Sequence, residues 1–312
     1  MNTLIHNLDI INRFEGIEIS VPPAVVLGTD VFDQFLDENN LRQFALRSTS
    51  DEEITERFLE ASRFPEEILA KLSDFLDLLR EPLAVRSSTL LEDSQYHPFA
   101  GVYQTYMIPN NHPEPMVRLE QLVNAIKRVY ASTFYQSAKE YIKVTSYVLE
   151  EEKMAVVVQK MVGARHGERF YPDIAGVARS HNFYPILPQK ASDGVVSIAL
   201  GLGKYVVDGG NTVRFCPKYP KHVIQFASTE ATLRSSQSEF VALDMDSPPL
   251  GLHETHDTLL KMHGLADAEQ DGTLHHVGST YSADDDTIHD GLLRRERRVV
   301  TFSPVLRHKI IP

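Results

Sequence analysis

The stretch from Leu83 to Met107, LAVRSSTLLEDSQYHPFAGVYQTYM, gathers the residues best suited to chemistry. Leu83-Ala84-Val85 is a short apolar run of the kind that becomes a buried strand, and Arg86 ends it. A guanidinium at the end of a buried strand needs an anionic partner, because an unpaired buried charge is costly. Ser87, Ser88 and Thr89 follow at once. Their small hydroxyls, with exposed backbone N–H groups beside them, suit phosphate oxygens. Phe99-Ala100-Gly101 sets a small-residue turn before a second β-rich run, Val102 to Met107, and Gly101 would let backbone approach a ligand closely. Two readings fit this spacing about equally. One is an anion-binding strand–loop–strand; the other is an ordinary strand–loop–strand with a structural ion pair from Arg86 to Glu92 or Asp93.

Other reactive residues carry less. His253 and His256 (H-x-x-H) and the pair His275-His276 lack further ligands at zinc-site spacing, and Asp284-Asp285-Asp286 lacks the Gly and terminal Glu of a calcium loop. These read as solvated groups, and no metal site is assigned. A single cysteine, Cys216, excludes an internal disulfide and any multi-cysteine metal site, which points to the cytosol. Against 31 Lys and Arg stand 43 Asp and Glu, a net charge of −12 that argues against nonspecific nucleic-acid binding. No apolar run approaches a membrane span, and the amino terminus lacks the basic start and apolar core of a secretion signal. The chain opens almost directly into Phe14-Glu15-Gly16-Ile17 and stops at Ile310-Ile311-Pro312, which suggests a fragment of a longer protein.

The elements that must position these residues follow from periodicity. Ile17 to Leu27 reads as a strand interrupted by Pro22-Pro23. Thr29 or Asp30 is a candidate cap for a helix with Val31, Phe32, Phe35 and Leu36 on one face. Ser50-Asp51-Glu52-Glu53 reads as a capping box, and Pro65 suits the first turn of a third helix. Pro115 opens a helix reaching about Tyr135. Met154 to Val162 (MAVVVQKMV) is a continuous apolar run suited to a buried central strand, and Ile174 to Phe183 and Val195 to Gly203 follow as strand segments. Arg179 could face phosphate or make a surface ion pair. From about Asp246 to Gly291 apolar periodicity is poor, so long loops with short helices are expected, before a last strand from Arg297 to Phe302. Arg294 to Arg298 forms a small basic patch.

V-R-S-S, then E-D, then F-A-G with an aromatic and a Thr beyond resembles the nucleotide-binding domain of phosphoenolpyruvate synthase and pyruvate, phosphate dikinase. The resemblance covers most of residues 17–245, most specifically 83–106. It implies an ATP-grasp fold in which Arg86 binds ATP phosphates and the Phe99–Gly101 loop lies over them. Gln159, in a segment similar to the family's V-Q-x-M-V, is then a polar group near the base, with Met161 and Val162 backbone reading the adenine edge. Without the resemblance, Gln159 reads as a core-strand residue satisfied by neighbouring backbone. Gly201 and Gly203 resemble the family's G-L-G-E and allow tight backbone approach, but Lys204 stands where that Glu is common. Ser137 and Ile142 stand where resembling enzymes carry arginines; Lys139 or Lys143 could substitute for the charge.

The expected architecture is α/β (α+β), a two-lobed ATP-grasp-type domain. It divides into an amino-terminal lobe over 1–110, a central and second lobe over 111–245, and a loop-rich extension over 246–312. The resemblance implies ATP as ligand. It also implies Mg²⁺ with ligands beyond Pro312, and a phosphohistidine domain elsewhere in a parent enzyme that passes phosphoryl groups from ATP to histidine and on to pyruvate. The family's G-G-K-x-x-x-L segment and its late D/E-x-E strand are not found in the chain. Alternatives are a nucleotide-sensing or scaffold domain that kept the fold without transfer chemistry, and an α+β interaction module that binds no nucleotide.

Overall fold

The computed structural model describes residues 2–7, 9–10, 13–92, 101–143, 148–246, 258–292 and 296–310. Asp93, Phe99, Ala100, His253, His256 and Arg294 lie outside them. The chain forms two compact units, residues 1–162 with 247–259, and 163–246 with 260–312. The boundary drawn at 110/111 from the sequence lies inside the first unit.

In the first unit the order is α1 (Asn2–Asn7), β1 (Ala24–Leu27), α2 (Thr29–Glu38), α3 (Arg42–Arg47), α4 (Asp51–Glu60), α5 (Glu66–Leu78), β2 (Leu83–Ser88), β3 (Thr105–Ile108), α6 (Pro115–Ser132), α7 (Gln136–Lys143) and β4 (Ala155–Lys160). Strand β1 starts only after Pro22-Pro23, since neither proline has an N–H to donate to a ladder. Gly28, not Thr29 or Asp30, occupies the cap of α2, and no side chain caps it. Ser50 caps α4, its Oγ accepting from the Glu53 amide at 3.1 Å. Pro115 opens α6, where a missing N–H costs nothing.

The strands make one antiparallel sheet in the order β1-β4-β2-β3. Its inner face buries Leu27, Leu83, Val85, Tyr106, Ile108, Val156 and Val158, with α6 packed against β2 and β3. Between the helices lies an aromatic cluster. Phe32 meets Tyr130 edge-on at 5.0 Å between ring centroids, and Phe35 and Phe134 each pack against Phe58.

The second unit contains β5 (Ala164–His166), β6 (Arg169–Tyr171), β7 (Ala175–Arg179), β8 (Val195–Ala199), α8 (Lys204–Val207), β9 (Val213–Phe215), α9 (Thr229–Ser235), β10 (Glu239–Asp244), β11 (Leu260–Gly264), α10 (Leu265–Gln270), α11 (Leu274–Val277), β12 (Gly278–Ser282), β13 (Thr287–Asp290), β14 (Arg297–Val300) and α12 (Ser303–Leu306). Three sheets result, β11-β10-β6-β5, β7-β8-β9 and β13-β12-β14. Of the region expected as long loops with short helices, β11, β12 and β13 are strand, beside the short helices α10 and α11. The apolar signal is missing because β12 buries Ser279, Thr280 and Ser282 instead of aliphatic residues. Two of these hydroxyls find partners inside the fold: Ser279 shares a 2.5 Å hydrogen bond with Thr301, and Thr280 donates to the Gly291 carbonyl at 2.9 Å. Asp284-Asp285-Asp286 forms the β12–β13 hairpin turn, with Asp286 at φ +53°.

Candidate functional site

Side chains alternate along a strand, so the register of the first unit's sheet decides which of them share its open face. Arg86 pairs with Thr105 on one side and Val157 on the other. Gln159 pairs with Ala84 and Ala24. Arg86 and Gln159 are therefore diagonal neighbours on one face, with Cα atoms about 7–8 Å apart. Val26, 66% exposed, and the half-buried Met107 and Val157 complete an apolar field around them. Arg86 is exposed and forms no ion pair among the described residues, so the Arg86–Glu92 pair considered above is absent. Glu92 is instead engaged by Ser87 Oγ at 2.8 Å and by the Thr89 amide at 3.1 Å. The Gln159 side chain makes no hydrogen bond among the described residues. Ser88 is exposed on the Arg86 side of β2; Ser87 lies on the other side. Gly101 has φ +85°, a turn conformation that favours glycine.

At the end of β4 the Met161 amide donates to the Pro82 carbonyl at 2.8 Å, while Val162 is 63% exposed. Arg179 lies in the second unit on β7, exposed and opposite Val195. Gly201 has φ +90°, and a Cβ there would lie 2.8 Å from the Val241 carbonyl oxygen and 2.9 Å from Phe240 Cβ. Its glycine is demanded by backbone crossing close to β10. Gly203 caps α8, and Lys204 pairs with Asp208 at 2.6 Å.

Three buried cations of the helical layer serve the backbone. Lys139 is buried, and its Nζ donates to the carbonyls of Ala45 at 2.7 Å and Ser48 at 2.6 Å, closing the end of α3. Burial pushes its ammonium below the usual range. It caps a helix instead of substituting for a phosphate-binding arginine. Lys127 does the same at the end of α4, binding the Leu59 and Ala61 carbonyls. Arg118, fully buried, binds the Leu76 carbonyl at 2.9 Å at the end of α5. Sequence reasoning missed these buried roles; the available signal was a base at position 118, one helical turn before buried Leu122. Ser137 is exposed and Ile142 buried. Among the described residues no group of three His, Cys, Asp or Glu could hold a metal, and His276 pairs with Asp173 at 3.0 Å. No described helix is long and apolar enough to cross a membrane.

Residues 5–247 match the family described as pyruvate phosphate dikinase, AMP/ATP-binding domain. The chain belongs to that family. Its mixed helices and antiparallel sheets make an ATP-grasp-like, ATP-binding domain of the phosphoenolpyruvate synthase-like phosphotransferases. It is 27% identical to the uncharacterized phosphotransferase YvkC of Bacillus subtilis over 62% of this chain and 21% of that protein. It is 28% identical to the phosphoenolpyruvate synthase of Escherichia coli over 64% and 26%, respectively, and 25% identical to the rifampicin phosphotransferase of Bacillus cereus over 65% and 23%. These matches span about a quarter or less of the relatives' length.

Proposed function

We propose that this chain holds ATP against the open face of the β1-β4-β2-β3 sheet, as the nucleotide-binding domain of a phosphoenolpyruvate synthase-like phosphotransferase. The observation that carries this reading is Arg86, exposed and free of carboxylates among the described residues, one diagonal step from Gln159. The Arg86 guanidinium clamps phosphate oxygens through its planar fork. Ser87, Ser88 and Gly101 shape the phosphate turn. Gln159 and the surrounding apolar field receive the base, whose edge meets the Met161 carbonyl and Val162 backbone, since the Met161 amide is already committed. For Arg179, Gly201 and Gly203 the support is the family resemblance alone. Mg²⁺ would rest on carboxylates outside the described residues, where a phosphohistidine domain also belongs. In the whole protein, phosphoryl groups would pass from ATP to that histidine and on to pyruvate. A cytoplasmic location, supported by the single buried Cys216, is part of the proposal.

Calorimetric titration with ATP, ADP and AMP tests this reading. A charge-assisted contact of roughly 1.5–3 kcal/mol makes Arg86→Ala about tenfold or more weaker for ATP, with the melting temperature unchanged. Absence of binding at millimolar nucleotide would remove the proposal. A second reading, a sensing or scaffold domain without transfer, is favoured by exposed Ser137 and buried Ile142 at the positions of the expected arginines. Failure of the full-length parent to label a histidine from β-labelled ATP would select it.

A further inference from the structure

The second unit contains a cavity of about 250 Å³ that none of the proposed nucleotide contacts lines. One wall is the segment that leads into α9, with Lys221, Val223 and Phe226. The other is β13 and the turn into α12, with Ile288, Asp290, Ser303, Leu306 and Arg307. Ile288 and Asp290 are two apart on β13 and so face the same way. The Thr229 hydroxyl donates to the Asp286 carbonyl at 3.0 Å, which ties the start of α9 to the turn before β13. The second wall lies beyond residues 5–247, so membership of the ATP-binding family leaves it unexplained.

Two cations and one anion line this cavity, an excess of one positive charge in a chain whose net charge is −12. Lys221 is exposed and makes no hydrogen bond or ion pair among the described residues. Arg307 is held to Asp290 Oδ1 through one nitrogen, Nη1, at 3.4 Å, and His308 Nε2 lies 2.9 Å from Asp290 Oδ2. Both carboxylate oxygens are therefore engaged, while Lys221 and the rest of the Arg307 fork stay open to an anion. Burial alone would raise Asp290, yet the Ser303 dipole, His308 and Arg307 hold it below the usual carboxylate range, so its charge is kept.

The hydroxyls also divide. Those of Ser228, Thr229, Thr232 and Thr301 are committed inside the fold. Ser303 Oγ, in a residue only 3% exposed, makes no hydrogen bond among the described residues. A buried polar group left unsatisfied is costly, and a ligand oxygen would relieve it. Ser303 stands four residues before Arg307, whose amide bonds its carbonyl at 2.9 Å, so the two lie on one side of α12 and its end. Val223, Phe226, Ile288 and Leu306 supply hydrocarbon surface beside them.

We propose that this cavity binds a small monocarboxylate with a branched or aromatic hydrocarbon body. Lys221 and Arg307 hold the carboxylate, Ser303 donates to it, and the body lies against Val223, Phe226, Ile288 and Leu306. Charge and size select this class. One excess cation matches one carboxylate, whereas a second negative charge on the ligand would meet Asp290. The volume equals that of about eight waters at ~30 Å³ each, which suits an acid the size of benzoate and falls well short of a nucleoside triphosphate.

NMR titration of the methyl-labelled chain with benzoate, benzamide, acetate and inorganic phosphate tests the site. Benzoate should shift the methyl signals of Ile288 and Leu306 and leave those of Val26 and Val157, on the sheet of the first unit, unmoved. Benzamide lacks the charge, and acetate lacks the body; each should bind about tenfold or more weakly than benzoate, and phosphate should be weaker still. Lys221→Met should weaken benzoate about tenfold with the melting temperature unchanged, since Lys221 has no partner among the described residues, and Lys221→Arg should keep most of the affinity. Benzamide or phosphate binding as tightly as benzoate would overturn the proposal. So would unmoved Ile288 and Leu306 signals at tens of millimolar benzoate, or an undiminished affinity in Lys221→Met. None of these outcomes bears on ATP binding at the sheet face, which the earlier titration decides separately.

Discussion

Three cations buried in the helical layer of the first unit and Arg86 on its sheet face meet opposite fates. Arg118, Lys127 and Lys139 are buried, and each donates to backbone carbonyls at the end of a helix, where the helix dipole and unpaired carbonyls favour positive charge. Arg86 sits on a face that strand pairing leaves open, with no carboxylate partner among the described residues. All four are bases in mixed apolar sequence. What separates the scaffold cations from the proposed phosphate clamp is the nearest acceptor: a carbonyl that the fold must satisfy, or none among the described residues.

That contrast breaks most visibly at Arg118. Arg118→Met should cost about 2–4 kcal/mol in urea unfolding, because the carbonyls it satisfies stay buried, and should leave ATP affinity unchanged. Unchanged stability would remove Arg118 from the scaffold. Gly201→Ala sharpens the comparison in the second unit. Its positive φ and the collision with Val241 and Phe240 should cost about 2 kcal/mol of stability. A variant of undiminished stability with weakened nucleotide binding would make Gly201 a ligand contact instead.

A smaller effect depends on pH. Burial alone would raise Asp271, yet the bidentate Arg169 pair and the Tyr171 hydroxyl hold it below the usual range. A lowered folded value means stability that is present above the ordinary Asp pKa of about 3.9 and is lost as pH falls through the folded value. Thermal melts from neutral to acid pH should show this loss in the wild type. Asp271→Asn should be less stable at neutral pH with a flatter acid limb; parallel curves would assign the acid limb to other carboxylates. The smallest effect is expected at Ser137, exposed on α7. Ser137→Arg adds a cation without a scaffold partner, so the melting temperature should hold and ATP affinity should rise about threefold, the scale of an exposed charge contact. No gain would separate this position from the nucleotide.

Much of the first unit was legible in the chain. The apolar run before Arg86 became β2, the Met154–Val162 run became β4, and Pro115 opens its helix. These signals are local: alternation, capping and ring closure act within a few residues. The last strand was legible from Val299 and Val300, but β12 was not, because its buried side chains are Ser and Thr, whose partners lie as far away as Thr301. Lys139 was read as a candidate phosphate ligand for the same reason, its acceptors being some ninety positions away.

The sequence by itself determined the strand carrying V-R-S-S, the starts of α4 and α6 and the order of segments similar to the family, because each rests on near neighbours or on motif spacing. Only the tertiary structure decided that Arg86 and Gln159 share one face and that Glu92 turns to Ser87 and Thr89 instead of Arg86. It alone decided, too, that Glu152 is buried with the Tyr103 hydroxyl donating to it. Those outcomes depend on strand register and on which distant atoms exclude water from a given group, and no local pattern of residues encodes either.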